Sequence, residues 1–335
     1  MSASATIDSK HQTAATLQQQ IRTQLLQALI AIQPQYSCIP RTEIEKLQLQ
    51  SELTRAQIES VISFYSFLSL EKQGAYRVLF SNNITDRMAG NQPLFQRLSN
   101  AVAGCDEVTI GFTSCTGLSD QGPGLLVNGI AINRLDAARI DQIAQLILSH
   151  QPLTHWPEAW FQIDDNIQRR DQQLSMPVVA GASIRKALEL GPQRIMQILT
   201  ESGLRGRGGA GFKTATKWNC CIHSESTERY VVCNADEGEP GTFKDRVLLN
   251  SYAHYVIEGM SCCALVTGAR QGFIYLRAEY YYLLDDLNRV LQQQRDQNLL
   301  GNNILGVNGF DFDIQIHLGA GAYICGEESS LIESL

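Results

Sequence analysis

The sequence predicts a multidomain α/β protein, and three changes of residue pattern along the chain lead to that fold class. Apolar residues first recur at helical spacing, strand-like runs then alternate with helices from Ala75, and glycine-rich turns with acidic residues appear after Gly203. A chain of 335 residues that is 44% hydrophobic can bury two or three cores. We therefore expect a helical segment (1–74), an α/β domain (75–150), a linker (151–177) and a second α/β domain (178–335).

The first region is predicted to be a small helical bundle. Its Gln-rich beginning, Thr13 to Gln33, carries apolar residues at helical spacing, and we expect Pro34 and Pro40 to interrupt this helix. Two further helical patterns follow at Arg41 to Gln50 and at Thr54 to Tyr65, where the threonine is a candidate N-cap. The apolar positions of the first helix are Leu17, Ile21, Leu25, Leu26, Leu29 and Ile30.

The second region changes to the period of a strand. YRVLF and VTIGF are strand-like, with a helical pattern near Gln92 to Val102 between them, and LLVNGIAIN predicts a hairpin that turns at Asn128 and Gly129. A helix near Ala137 to His150 closes the unit. This order indicates a thioredoxin-like domain, and the stretch from Gln151 to Met176, rich in Gln, Asp and Trp, is interpreted as a linker.

The third region contains a glycine loop, GLRGRGGAGFKTATKW, from Gly203 to Trp218. Gly206, Gly208 and Gly211 satisfy the dinucleotide pattern G-x-G-x-x-G, but a helical pattern precedes them where a Rossmann turn needs a strand. A P-loop is disfavoured too, because Phe212 separates the last glycine from the lysine. What remains is a loop that enters a helix near position 213 and favours an anion such as a flavin phosphate. The candidate cations are Arg205, Arg207, Lys213 and Lys217, and the alternative is a flexible turn between two helices.

Two later segments combine acidic residues with glycines at predicted strand ends. They are YVVCNADEGEPGTFKDR, from Tyr230 to Arg246, and GAGAYICGEESSL, from Gly319 to Leu331. Their carboxylates can accept hydrogen bonds from ribityl or ribose hydroxyls and from a ring N–H. The alternative for each is a solvated surface charge. The polar candidates are Asn234, Asp236, Glu237, Glu239, Glu327 and Glu328.

Composition excludes several classes of function. The net charge of −7 and pI of about 5.4 argue against a nucleic-acid-binding protein. No apolar run approaches the roughly 20 residues that span a bilayer, and the first residues do not resemble a signal peptide, so we expect a cytoplasmic protein. The nine cysteines lack a secreted or CxxC spacing, so we expect reduced thiols and predict no metal site. Cys325 is interpreted as a small buried hydrophobe.

The three segments resemble the signatures of the NADH-binding flavoprotein subunit of respiratory complex I. With a helical segment and a thioredoxin-like unit on the same chain, the arrangement is more similar to the diaphorase flavoprotein subunit of cytoplasmic NAD-reducing [NiFe] hydrogenases, and comparable to NAD-dependent formate dehydrogenases. The resemblance implies a Rossmann-like α/β FMN-binding domain. It also implies an NADH:acceptor oxidoreductase subunit that passes electrons between NAD(H) and iron–sulfur centres through FMN. The implied partners are a small iron–sulfur diaphorase subunit and hydrogenase or formate dehydrogenase subunits.

The resemblance assigns roles to individual residues. Glu239 would face the nicotinamide, and Phe212 would stack on the adenine of NADH. Members of the family usually have Pro and Gly where this chain has Lys213 and Ala215, and complex I relatives often carry an aromatic residue at Cys220. The implied flavin contacts are Gly206, Arg207, Gly208, Gly209, Gly211, Lys217, Asn234, Asp236 and Glu237, and Tyr323, Gly326, Glu327 and Glu328 would complete the nucleotide site.

Two departures from the family bear on the iron–sulfur clusters. Relatives with a [2Fe–2S] cluster supply C-x4-C and C-x3-C, where this chain has Ser81, Asp86, Cys115 and Ser119, so we expect a structural or docking domain without the cluster. Family members also continue beyond Leu335 into a part that carries a [4Fe–4S] cluster. We therefore expect a fragment or truncated product, incomplete at its C-terminus and prone to aggregate alone, with a non-catalytic docking or assembly chain as the alternative. Abundant carboxylates favour NADH over NADPH.

Overall fold

The computed structural model describes residues 24–169, 179–323 and 328–335. The predicted helix that starts at Thr13 therefore lies partly outside the described residues, as do Cys325, Gly326 and Glu327. Within the described ranges, the multidomain α/β class predicted from the sequence is confirmed.

From residue 24 onward, the N-terminal segment contains three helices: α1 (Leu25–Tyr36), α2 (Arg41–Ser51) and α3 (Arg55–Phe64). The N-cap predicted for α3 is present, because the Thr54 hydroxyl accepts from the N–H of Gln57 and the Gln57 side chain accepts from the N–H of Thr54. The interruption predicted at Pro34 is wrong. Pro34 lies in the last turn of α1, where proline costs the helix only one hydrogen bond near its end.

The thioredoxin-like domain contains a four-stranded sheet in the order β2-β1-β3-β4. β1 and β2 are parallel, as expected for strands joined by a helical crossover, and β3 pairs antiparallel with both β1 and β4. Asn128 (φ 52°) and Gly129 (φ 83°) form the tight turn predicted between β3 and β4. The elements are β1 (Tyr76–Ser81), α4 (Ile84–Met88), α5 (Asn91–Ala101), β2 (Val108–Thr113), β3 (Leu125–Val127), β4 (Ile130–Ile132) and α6 (Ala137–Leu148).

The segment interpreted as a linker contributes to the core of this domain. Two short 3-10 turns, Leu153–His155 and Glu158–Trp160, place Trp156 and Trp160 against the apolar side chains of the sheet and α6. The indole N–H of Trp156 donates to the carbonyl of Gln151 at 2.9 Å, so its polar atom is satisfied inside the core.

The last domain is built on three parallel strands in the order β5-β6-β7. Its core is formed mainly by α9 and α10 against this sheet. Since the strands are parallel, the turns after Ala235, Leu276 and Leu318 meet at one edge of the sheet. The elements are α7 (Ala182–Ser202), α8 (Thr214–Ile222), β5 (Tyr230–Ala235), α9 (Lys244–Thr267), β6 (Gln271–Leu276), α10 (Leu284–Asp296), β7 (Asp313–Leu318) and α11 (Glu328–Ser334).

The helical segment packs against the same edge. The N–H of Phe67 donates to the carbonyl of Ala320 at 3.0 Å, and the hydroxyls of Tyr65 and Ser334 lie 2.6 Å apart. Residues 319–323, which follow β7, are thereby held between the helical segment and their own domain. Among the described residues, none of the helices combines the length and the apolar composition needed to cross a membrane.

Candidate functional site

The glycine loop between α7 and α8 closes on itself. The N–H of Gly206 donates to the carbonyl of Phe212 at 2.9 Å, and the N–H of Thr214 donates to the carbonyl of Leu204 at 3.0 Å. Gly209 (φ 129°) and Gly211 (φ 63°) adopt conformations that disfavour other residues. A Cβ atom on either of them would meet no other atom within 4 Å, so the loop presents bare backbone to open space.

Positive charge surrounds this loop. Lys213 occupies the N-cap position of α8, and Lys217 lies one turn into that helix. The guanidinium of Arg205 donates to the carbonyl of Gly211 at 3.0 Å, and Arg207 is exposed at the tip of the loop. A helix N-terminus with cations and exposed backbone can bind a phosphate group, so this loop fits the phosphate of FMN. Gly206, Gly208, Gly209 and Phe212 are exposed as well, and Gly211 is half-buried.

The turn after β5 divides its acidic residues between two environments. Glu239 is exposed, whereas Asp236 and Glu237 are buried. The carboxylate of Glu237 accepts from the N–H groups of Asp245 (2.9 Å) and Arg246 (3.2 Å), the first turn of α9. Glu237 therefore caps a helix, and its buried carboxylate fixes the shape of the turn. Asn234 is exposed, and its side-chain oxygen accepts from the N–H of Asp236 at 3.0 Å.

The second and third predicted segments meet at an exposed pair of side chains. The hydroxyl of Tyr323, after β7, donates to the carboxylate of Glu239, after β5. This contact joins the residue expected to face the nicotinamide to one expected to complete the nucleotide site. Glu328 begins α11, and its neighbours Gly326 and Glu327 lie outside the described residues.

Sequence analysis missed a buried group of charged and aromatic residues after β6. Arg277, Glu279 and Tyr280 are each almost completely buried, and the Tyr280 hydroxyl donates to the Glu237 carboxylate at 2.7 Å. The Arg277 guanidinium donates through Nε to Glu279 at 3.0 Å and through Nη1 to the backbone carbonyl of Glu237. A charged pair directly after a buried strand, RAEY, was the signal available in the sequence.

Burial and mutual contact shift the pKa values of Arg277 and Glu279. Burial by itself raises the pKa of Glu279, but the adjacent Arg277 guanidinium outweighs it and holds that pKa below its usual range. Burial lowers the pKa of Arg277, and the Glu279 carboxylate more than reverses this, so the guanidinium stays charged. Burial, together with the nearby Glu237 charge, raises the pKa of Tyr280 and keeps its hydroxyl protonated as a donor.

The four positions that the resemblance assigns to [2Fe–2S] ligands, Ser81, Asp86, Cys115 and Ser119, come together in the thioredoxin-like domain. The Ser81 hydroxyl donates to the Asp86 carboxylate at 2.6 Å, and the Cys115 sulfur lies 3.9 Å from the Ser119 hydroxyl oxygen. The amide of Asn83 lies among them and donates to Asp86 at 2.6 Å and to the Cys115 sulfur at 3.0 Å.

These residues do not fit the cluster. A [2Fe–2S] centre needs four thiolate or imidazole ligands, and this group contains one cysteine with two hydroxyls, a carboxylate and a central amide. In the part of the chain that the structure describes, no cluster of three or more His, Cys, Asp and Glu side chains could hold a metal ion.

Comparison with family models identifies the two α/β domains. Residues 199–335 match the Nuo51 FMN-binding domain, and residues 10–148 match the thioredoxin-like [2Fe-2S] ferredoxin. The fold and site thus define a flavoprotein-type chain in which a thioredoxin-like domain precedes an FMN-binding domain.

Individual relatives narrow this class. The chain is 39% identical over 337 residues to the NAD-reducing hydrogenase HoxS subunit alpha of Cupriavidus necator, which covers 93% of this chain and 55% of that subunit. It is 48% identical over 153 residues to an NADH-quinone oxidoreductase subunit of Escherichia coli, covering 45% of this chain and 34% of the relative.

Solved structures agree with the sequence relatives. Crystal structures of NAD+-reducing [NiFe]-hydrogenase in the air-oxidized and H2-reduced states match with TM-scores of 0.81 and 0.82 and identities of 38% and 37%. They cover 91% of this chain and 53% and 54% of the matched chains. The chain is thus similar to subunits of NAD-reducing hydrogenase and of NADH-quinone oxidoreductase, which confirms the resemblance predicted from the three segments. It spans about half the length of the hydrogenase subunit that it matches.

Proposed function

We propose that this chain is the NADH-oxidising, FMN-binding diaphorase part of a bidirectional NAD-reducing hydrogenase. The observation that carries the proposal is the pairing of Glu239 with Tyr323 at the sheet edge where the turns after β5 and β7 meet. Ligands of α/β domains bind at the carboxyl ends of parallel strands. The match to the hydrogenase HoxS subunit alpha, over most of this chain, supports the choice of complex.

FMN would bind between the glycine loop and the turn after β5. The loop backbone with Arg207 and Lys217 would hold the phosphate, because it combines a helix N-terminus with cations. Asn234, Asp236 and the backbone that Glu237 holds in place would contact the ribityl chain and ring. When bound, FMN supplies the chemistry that converts hydride transfer into one-electron transfer.

NADH would lie over this site, with its nicotinamide beside Glu239. The exposed ring of Phe212 is available to stack on the adenine, and Tyr323, with Gly326, Glu327 and Glu328, would bind the rest of the nucleotide. The protein's contribution is alignment: Tyr323 restrains the Glu239 carboxylate, and a fixed carboxylate orients the nicotinamide better than a mobile one. The same carboxylates would repel the 2′-phosphate of NADPH.

The partners of this chain are proposed from its relatives. The relatives are subunits of hydrogenase and of NADH-quinone oxidoreductase. We therefore propose that the chain binds a small iron–sulfur diaphorase subunit and hydrogenase subunits in the cytoplasm. The thioredoxin-like domain, with no complete ligand set at its cluster positions, would serve as a docking module within the assembly.

Flavin reduction tests the proposed activity. The purified chain, loaded with FMN and freed of excess flavin, should be yellow, and anaerobic NADH should bleach its flavin absorbance. Glu239→Gln should slow the bleaching and leave FMN content close to wild type. A colourless chain that still captures the small diaphorase subunit would contradict the oxidoreductase role and favour a docking role.

A further inference from the structure

We infer that the thioredoxin-like domain positions Glu237, and with it the turn that forms the proposed flavin site. The flavin consequence rests on the proposed function, whereas the positioning itself does not. Three sets of contacts start at the end of β2 and in the loop that follows it, in the thioredoxin-like domain, and converge on this residue. None of the three uses Ser81, Asp86, Cys115 or Ser119 as its donor or acceptor.

The first contact is steric and reaches the Glu237 carboxylate through Tyr280. A Cβ atom on Gly117 (φ 68°) would lie 2.3 Å from the Tyr280 hydroxyl oxygen and 2.4 Å from its ring. The loop backbone at Gly117 is therefore the wall against which the Tyr280 ring rests. That wall keeps the hydroxyl 2.7 Å from the Glu237 carboxylate, where it donates.

The second contact is polar and reaches the backbone carbonyl of Glu237. The hydroxyls of Thr113 and Ser114 donate to Glu279 at 2.9 Å and 3.2 Å. Glu279 binds the guanidinium of Arg277, which donates to the Glu237 carbonyl and lies 5.2 Å from the centre of the Tyr280 ring. The two hydroxyls thus hold the Glu279 carboxylate in place, and this carboxylate orients the Arg277 guanidinium toward Glu237.

The third contact is a buried ion pair at the start of α9. The Asp120 carboxylate accepts from the Arg246 guanidinium at 2.8 Å, and the Arg246 side chain is completely buried. The backbone N–H of Arg246 donates to Glu237 at 3.2 Å. The thioredoxin-like domain therefore holds both the helix end that Glu237 caps and the side chains that bind Glu237.

Because the charged groups of this network are buried, the three sets of contacts stabilise a single arrangement of the turn at Glu237. Each charged group in the network would be left unsatisfied if its partner moved, and an unsatisfied buried charge costs far more than a neutral hydrogen bond gains. Glu237 immediately precedes Gly238 and Glu239, so a change at the docked loops is transmitted to the residue proposed to face the nicotinamide.

Hydroxyl removal tests the inference without any ligand. The double variant Thr113→Val/Ser114→Ala removes both donors to Glu279, and Tyr280→Phe removes one donor to Glu237 with little change of shape. Thr116→Val is a matched control, because Thr116 is equally buried but its hydroxyl oxygen has no hydrogen-bond partner among the described residues. Thr113→Ser is a second control, because it keeps a hydroxyl donor at position 113 and should behave as the wild type.

The primary readout is amide hydrogen exchange in the full chain without flavin. In the double variant and in Tyr280→Phe, exchange in the peptide that covers 236–246 should accelerate by about tenfold, the effect of losing roughly 1.4 kcal/mol of local stability. Exchange in α10 and in the thioredoxin-like sheet should stay as in the wild type. Thr116→Val and Thr113→Ser should leave all three regions unchanged.

The second readout is the Kd of FMN, from quenching of flavin fluorescence. It should rise several-fold in the double variant and in Tyr280→Phe, but not in Thr116→Val or Thr113→Ser. A wild-type chain that binds no FMN would overturn the proposed function alone, because exchange still decides the positioning. Unchanged exchange at 236–246 in Tyr280→Phe, or equal acceleration in Thr116→Val, would overturn the inference.

Discussion

The side-chain amide of Asn83 lies 3.0 Å from the sulfur of Cys115, at the centre of the four positions that the resemblance assigns to [2Fe–2S] ligands. The same amide donates to Asp86 at 2.6 Å and lies 3.1 Å from the Ser81 hydroxyl oxygen. A hydrogen-bonded core thus links the residues that would otherwise be ligands. This arrangement explains how the loops keep a thioredoxin-like shape without thiolates to bind iron.

Iron analysis tests that explanation. The whole chain, incubated anaerobically with Fe2+ and sulfide and then desalted, should retain neither, because one thiolate is too few for the cluster. The variant Ser81→Cys/Asp86→Cys/Ser119→Cys, with Asn83→Gly to remove the central amide, should retain both and gain iron–sulfur absorbance. Stoichiometric iron and sulfide in the wild type would contradict the account.

Asp86 should make stability depend on pH. Burial raises the pKa of Asp86, and hydrogen bonds from Ser81, Asn83 and Gly124 offset only part of this shift. Since the folded pKa lies above the unfolded value, the folded state binds protons more tightly, and the Asp86 contribution to stability grows as pH falls through its folded pKa.

Urea unfolding measures this effect. Relative to Asp86→Asn, the free energy of unfolding of the wild type should become larger, which means a more stable fold, as pH falls from about 7 to about 4. Asp141, an exposed carboxylate whose pKa is lowered by a hydrogen bond from Arg97, gives a control of opposite sign through Asp141→Asn. A difference between wild type and Asp86→Asn that stays constant over this range would refute the prediction.

Removing only one partner of the buried ion pair between Asp120 and Arg246 should strongly destabilise the fold. Asp120→Ala leaves the Arg246 guanidinium buried without its carboxylate and should lower the free energy of unfolding by about 3–5 kcal/mol. Adding Arg246→Met should recover most of the loss, since an apolar pair needs no compensation. Chemical denaturation of the single and double variants measures both, and no recovery in the double variant would show that the pair is not coupled as the distances imply.

Glu239 and Tyr323 should act on NADH as a unit. Tyr323→Phe frees the Glu239 carboxylate, and Glu239→Gln removes its charge, so each should raise KM for NADH several-fold with little effect on bound FMN. The double variant should be no worse than Glu239→Gln, because the hydroxyl acts through the carboxylate. Steady-state kinetics at saturating FMN measures these values. Additive effects of the two substitutions would show that Tyr323 does not act through Glu239 and would contradict the prediction.

Local patterns predicted the elements of the fold well. The Thr54 cap, the Asn128-Gly129 hairpin and the helix that follows the glycine loop depend on neighbouring residues, so their signals are complete within a few positions. Pro34 was the exception, because its effect depends on how far the helix continues beyond it. The long motifs also predicted which proteins the chain is similar to, since many residues in fixed spacing are specific.

Long-range partners could not be predicted in this way. The sequence predicts that Glu237 contacts the flavin, but it does not show that the Glu237 carboxylate caps α9 and binds Tyr280, a residue 43 positions away. In the buried pair of Arg277 and Glu279, the Glu279 carboxylate also accepts a hydrogen bond from the hydroxyl of Thr113, which lies in the other domain. A sequence shows that charges follow a strand, but only the packing of two domains determines which of them are buried.

Protection of backbone amides by FMN tests the central claim most directly. If one flavin lies between the glycine loop and the two acid-bearing turns, saturating FMN should slow hydrogen exchange together in the peptides covering 203–217, 234–243 and 319–328. The three protections should also titrate with a single Kd. Protection confined to one of these peptides, or absent from all three while FMN remains bound, would contradict the shared site.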